Sequence, residues 1–156
     1  MTYLPLMLGA GVWLFLTFSA AAFGARFGPD EWYRQLAKPT WTPPNAIFAP
    51  VWTILYLLMA TAAWLVWKRH GVAGAVVPLA LFVFQLALNA AWSWLFFGRH
   101  RPQAALVDIV VLWAVIAATL ISFWLLDPLP GILLIPYLAW VSFATALNWA
   151  IWRMNR

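Results

Sequence analysis

An all-α fold, a bundle of five membrane-spanning helices, is what this 156-residue sequence predicts, and three observations lead to it. Apolar residues make up 66% of the chain and charged residues only 8%, with a mean hydropathy of +0.87. Soluble domains run nearer 45–50% apolar and about 25% charged. Five apolar runs each reach the roughly 20 residues that a helix needs to cross a hydrocarbon core of about 30 Å. Helix-breaking residues separate the runs: Gly28-Pro29, Gly71 with Gly74, Gly98 with Pro102, and Pro128 with Pro130-Gly131. The size fits a single integral membrane domain over residues 1–156.

The first run covers about 4–25. Ser19-Ala20-Ala21-Ala22 has the look of a cleavage site, but residues 2–8 carry no lysine or arginine and the run is too long for a signal-peptide core, so a retained helix is expected. The other runs cover about 47–67, 75–97, 103–126 and 131–152. Five spans place the termini on opposite sides of the membrane. The side with the 26–45 loop, the 98–102 loop and the C-terminus carries Arg26, Arg34, Lys38, Arg99, Arg101, Arg153 and Arg156. The other side carries Lys68 and Arg69. Seven cations against two predict that the long first loop and the C-terminus face the cytoplasm. Inner and outer membrane stay open as locations.

Residues 26–45 form the only connection long enough for structure of its own. Asp30-Glu31 followed by Trp32, Tyr33 and Leu36 reads as a short amphipathic helix, with Pro29 at its start. Lys38-Pro39-Thr40-Trp41-Thr42-Pro43-Pro44 is too proline-rich for helix, and Asn45 is placed to cap the second span. Trp32, Tyr33 and Trp41 suit either a lid over the bundle mouth or an interfacial aromatic anchor.

Composition excludes much chemistry. There is no cysteine, so there is no thiol nucleophile and no zinc-thiolate site. The acidic residues are Asp30, Glu31, Asp108 and Asp127, and the histidines are His70 and His100. No carboxylate dyad or metal site is expected, and no obligatory cofactor. Both histidines read as solvated interface residues. Asp108, about one turn inside the fourth span, reads as a residue near a helix N-terminus with water or arginine neighbours. The net charge of +5 follows membrane topology, so no nucleic-acid partner is expected; the partners are membrane lipid and a large apolar ligand.

Polar side chains inside a membrane cost free energy unless paired, which makes them functional candidates. Gln85, Asn89 and Ser93 recur every four residues in the third span, Trp52 and Tyr56 do so in the second, and Trp140, Ala144 and Asn148 in the fifth. Each set shares a helix face. Convergence of the three would build a cavity for a large, flat, mostly apolar ligand with a few polar groups. Helix-to-helix packing would use the same spacing. Ala80, Ala87 and Ala91 lie roughly opposite the polar face of the third span and suggest a homodimer contact.

WYRQLAKPTWTPP after the first span, PVWTILY in the second, LALNAAWSWLFFG in the third, ALVD in the fourth and PYLAWVSFATALNWAIWR in the fifth together resemble the TspO/translocator protein family. Its members are also called tryptophan-rich sensory proteins or peripheral benzodiazepine receptor homologues. The resemblance runs over about residues 8–153. It implies a five-helix bundle, usually dimeric, with a cavity under the first loop for protoporphyrin IX, haem, and isoquinoline- or benzodiazepine-type ligands. By motif it implies ligand contacts for Trp52, Asn89, Ser93, Trp140 and Ala144, and covering roles for Trp32, Tyr33 and Trp41. The cholesterol-recognition tyrosine of the family's mammalian members is replaced here, since Trp149 and Ala150 stand before Arg153.

The leading expectation is therefore a tetrapyrrole-binding sensor, carrier or scavenger, with Arg26, Arg34 or Lys38 meeting the ligand's propionates. The alternative is light-dependent porphyrin degradation in which Trp52 or Trp140 gives up an electron or hydrogen. A secondary transporter is disfavoured, because five spans do not divide into equal repeats.

Overall fold

The computed structural model describes residues 3–156. Its order is α1 (Leu4–Gly24), α2 (Glu31–Gln35), a 3-10 turn (Asn45–Ile47), α3 (Phe48–Gly74), α4 (Val76–Ser93) running into a π-helical turn (Trp94–Gly98), α5 (Pro102–Leu126) and α6 (Pro128–Met154). Five of these segments are long and apolar enough to cross a membrane. The chain is an all-helical, multi-pass integral membrane protein. Helices suit this setting because every backbone hydrogen bond is closed within the segment.

The long helices pack as a bundle. α5 and α6 run side by side as a hairpin, α4 lies on α5, α1 on α3, and α3 on α6. The centre holds large buried side chains, including Met59, Phe82, Phe123, Leu134 and Tyr137. The periphery is apolar as well: Leu8, Phe15, Val83, Val107 and Leu125 are all exposed. In water that surface would drive aggregation; in a bilayer it meets acyl chains.

Two glycines permit close approach. A Cβ on Gly9 would run into the Trp67 ring where α1 crosses α3. A Cβ on Gly131 would sit 2.8–2.9 Å from Trp124, including its backbone, where α6 turns against α5. The α1–α3 seam is further tied by the Trp64 indole N–H donating to the Leu6 carbonyl at 3.0 Å.

Several boundaries differ from expectation, for local reasons. The second span was expected to stop near residue 67, yet α3 continues through Lys68-Arg69-His70 to Gly74, broken at Gly71 (φ +66°). Hydropathy marks where the hydrocarbon ends, whereas the backbone hydrogen bonding continues into the interface. α6 begins at Pro128 rather than 131, because Asp127 accepts from the Leu129 amide at 3.3 Å and proline is tolerated in the first turn. Asn45 does not cap the second span: it opens the 3-10 turn, and no side-chain cap is made at that turn or at α3. Asp30, not Pro29, directly precedes α2; its carboxylate accepts from the Tyr33 amide at 3.0 Å.

The rest of the first loop is pinned to the bundle. The Asn155 side chain, just past α6, pairs with both backbone groups of Ala37, each at 2.9 Å. The Lys38 ammonium donates to the carbonyls of Leu36 (3.1 Å) and Arg34 (3.3 Å). At the opposite end, an Arg69–Asp127 ion pair joins α3 to the α5–α6 turn.

Candidate functional site: an aromatic cavity beneath the first loop

A cavity of about 370 Å³ lies between the bundle and the first loop. Its floor and walls come from α1, α3, α4 and α6, and its cover comes from the 27–33 segment. The volume falls within the range of small-molecule sites, roughly 300–1,000 Å³.

Eight of the residues marked by the sequence line it: Tyr33, Trp52, Tyr56, Asn89, Ser93, Trp140, Ala144 and Asn148. Trp52 stands at the centre of an aromatic wall. Its ring lies 5.5 Å from Tyr56, 6.3 Å from Tyr137 and 6.5 Å from Trp140, and the last pair is perpendicular at 88°. Such edge-to-face geometry suits the charge distribution of aromatic rings and fixes their orientation.

A buried hydrogen-bond chain runs beneath that wall. The Tyr56 hydroxyl donates to Asn89 Oδ1 at 2.9 Å, Asn89 Nδ2 donates to the Tyr137 hydroxyl at 2.7 Å, and Tyr137 donates to Gln85 Oε1 at 2.7 Å. Gln85 Nε2 ends the chain on the Met59 sulfur at 3.7 Å. Asn89 therefore joins the cavity wall to the core. On the α6 side, Asn148 accepts from the Trp92 indole and donates to the Pro102 carbonyl, both at 2.9 Å. These pairs hold the polar groups in fixed directions.

Three marked residues lie elsewhere. Gln85 is buried one turn deeper, in the chain just described. A four-residue step turns a helix by about 400°, so a stripe drifts some 40° per step. Over two steps Gln85 has rotated away from the opening that Ser93 faces. Trp41 packs on Phe143 at 5.6 Å and stays exposed. Trp32 points away from the cavity, stacked on His100 at 4.3 Å with the rings 12° apart. Successive helical residues diverge by about 100°, so only Tyr33 of the pair reaches inward.

The sequence reading also missed some lining residues. Phe48 stands four before Trp52, Trp92 three after Asn89, and Phe143 three after Trp140; all three line the cavity. Helical spacing held that signal, but aromatic residues are so frequent here that it did not stand out. His100 is exposed, as expected, and its Nε2 also lies 2.9 Å from Asp30 Oδ2. Asp108 has one carboxylate oxygen buried without a protein hydrogen-bond partner among the described residues.

Electrostatics distinguish the cover. The Tyr33 amide holds the Asp30 carboxyl below the usual carboxylate range; desolvation opposes this, and His100 adds to the lowering. Burial pushes the Tyr33 phenol above its ordinary value. Of the cations expected at the mouth, Arg34 pairs with Glu31 at 2.7 Å and Lys38 sits over the Tyr33 ring. Arg26 makes no ion pair among the described residues, and its neighbours Ala25 and Phe27 line the cavity.

Fold and site together define a multi-pass membrane protein whose helices enclose an aromatic cavity under a structured loop. A model of the TspO/MBR family matches residues 6–153. The human translocator protein is 45% identical over 137 residues, covering 85% of this chain and 81% of that one. A tryptophan-rich protein TspO of Chlorobaculum tepidum is 44% identical over 157 residues (97% and 96%), and a tryptophan-rich sensory protein of Cereibacter sphaeroides is 44% identical over 147 residues (91% of each). The chain belongs to the TspO/MBR family and is a membrane protein of the translocator and tryptophan-rich sensory type.

Proposed function

We propose that the cavity binds tetrapyrroles such as protoporphyrin IX and haem, and that the protein acts as their sensor, carrier or scavenger. The observation that carries this reading is the pairing of an aromatic wall, Trp52 with Tyr56 and Trp140, with the fixed amides of Asn89 and Asn148 in one cavity. A broad macrocycle would gain most of its affinity from apolar burial and stacking. Its propionates would lie toward Arg26, which makes no ion pair among the described residues. Isoquinoline- and benzodiazepine-type ligands, also flat with few polar groups, fit the same description. A sterol would use the apolar part of the lining, Ala144 and Leu147 among it.

The test is a Soret-band titration of protoporphyrin IX into detergent-purified protein in the dark. Saturable binding weakened by Trp52→Phe, Asn89→Ala and Trp140→Phe, in proteins that stay folded, supports the reading. Binding no greater than in empty micelles rejects it.

A second reading, light-dependent porphyrin degradation, is favoured by the placing of Trp52 and Trp140 at 6.5 Å within the same cavity. Each indole can give up an electron to a photo-excited ligand, with oxygen as oxidant. Aerobic illumination that bleaches bound porphyrin no faster than free porphyrin removes it.

The exposed Ala80 and Ala87, with half-buried Ala91 beside them, leave the outer face of α4 open for a second copy, and we propose a homodimer through it. The first loop and C-terminal end of α6 meet through Ala37 and Asn155, and the excess of cations on that side supports a cytoplasmic position for it.

A further inference from the structure

His100 lies in the short turn between α4 and α5, outside the cavity, and three observations converge on it. Its backbone adopts φ +52°, a left-handed conformation that few non-glycine residues occupy. Its ring stacks on Trp32 of α2 at 4.3 Å. Its Nε2 meets Asp30 Oδ2 at 2.9 Å, while the other oxygen of that carboxylate caps α2. A strained backbone persists where the surrounding contacts over-determine it. Here those contacts are Asp30, the cap of the loop helix, and Trp32 in its first turn. Trp32 is backed in turn by Phe96 at 5.8 Å, so the ring of His100 is clamped against a fixed surface. The next residue, Tyr33, lines the cavity, as do Phe27, Gly28 and Pro29 just before. His100 thus grips the outside of the segment whose inside covers the site.

We propose that His100 is the positioning residue that latches the first loop over the cavity, through its stack on Trp32 and its pair with Asp30, and that the latch is tighter when the imidazole is protonated. The consequence for ligand retention rests on reading the cavity as the ligand site. The surrounding charges leave Asp30 as the counter-ion. On α2, Glu31 and Arg34 pair with each other at 2.7 Å. In its own turn, Arg99 lies over Trp94 at 5.7 Å, and Arg101 makes no ion pair among the described residues. Arg26 precedes the loop helix, and Lys38 beyond it sits over Tyr33. An imidazolium adds a charge-assisted hydrogen bond to the Asp30 carboxylate and a cation–π attraction to Trp32. Neutral imidazole keeps the stack and a weaker hydrogen bond. Asp30, held below the usual carboxylate range, keeps its charge above it. The latch therefore loosens when the imidazole gives up its proton.

The test uses the full chain in nanodiscs and two independent readouts, amide hydrogen exchange of residues 31–36 and dissociation of protoporphyrin IX. Wild type, His100→Asn, His100→Arg and Asp30→Asn are compared at pH 6 and pH 8, each first shown to unfold thermally as a single species. Asparagine tolerates the left-handed backbone, and Asp30→Asn retains a cap for α2, so neither is expected to unfold the loop outright. In wild type, exchange corrected for its intrinsic pH dependence is slower at pH 6 than at pH 8 by about threefold to tenfold. His100→Asn exchanges fast at both. His100→Arg, which can still stack and pair but keeps its charge, exchanges slowly at both. Asp30→Asn loses the pH difference. Protection in His100→Asn equal to that of wild type overturns the latch. A loosened loop with unchanged porphyrin dissociation overturns its gating role. If exchange responds as stated but no form binds porphyrin, the latch stands and the tetrapyrrole reading falls.

Discussion

Asn89 faces the cavity with one side and the core with the other, and the chain through Tyr137 to Gln85 explains why polar groups are tolerated there. Tyr137→Phe preserves the volume but removes a hydroxyl that both accepts from Asn89 and donates to Gln85. Two amide groups are then left short of partners in a buried site. The expected loss is about 1–2 kcal/mol, read as a lower thermal midpoint in detergent. Asp30 makes a second prediction. Its folded value is lowered, so the cap it provides is fully present above the ordinary carboxylate value and is lost as pH falls through the lower folded one. The Trp32 fluorescence of the docked loop is therefore expected to persist to below about pH 4. Asp30→Ala should lack that signal at every pH. Most of the lining was legible at this scale: Trp52 and Tyr56, Asn89 and Ser93, and the α6 trio all face one space. Gln85 was expected on the cavity face with Asn89 and Ser93, but a four-residue stripe drifts around a helix with 3.6 residues per turn, and it lies in the core instead. The role of His100 left no trace in the sequence, since it depends on contacts across 70 residues of chain.

At the scale of elements, α1 is the least embedded span, and its seam with α3 depends on one missing side chain. Gly9→Leu should force α1 away from Trp67 and cost about 1–3 kcal/mol. Gly11→Leu, where a Cβ would meet nothing within 4 Å, is the matched control and should be near neutral in the same melt. The five spans were legible because an apolar run of that length has one stable form in a bilayer. Their ends were not, because charged interfacial turns such as Lys68-Arg69-His70 are invisible to hydropathy yet helical in the backbone. The loop helix was legible from Asp30-Glu31 and the aromatics after it. Which of Trp32 and Tyr33 turned inward was not, because a helix of five residues has too few positions to define a face.

For the whole molecule, the bundle leaves Ala80 and Ala87 exposed on the outer face of α4 beside Val83 and Phe84, and a bulky group at Ala87 should block the proposed partner. Ala87→Trp is expected to shift cross-linked protein in nanodiscs from dimer to monomer while leaving the fold intact. The central claim, though, concerns the cavity. Ala144 sits in its wall among Trp140, Asn148 and Phe143, where a larger side chain would fill ligand space without breaking a hydrogen bond. The decisive measurement is a dark titration of protoporphyrin IX into Ala144→Phe beside wild type, each with an unchanged thermal midpoint. Binding that weakens at least about tenfold, a difference of about 1.4 kcal/mol, is the expected result. Undiminished affinity in the filled variant would mean that the porphyrin binds elsewhere and that the aromatic wall serves only to pack the helices.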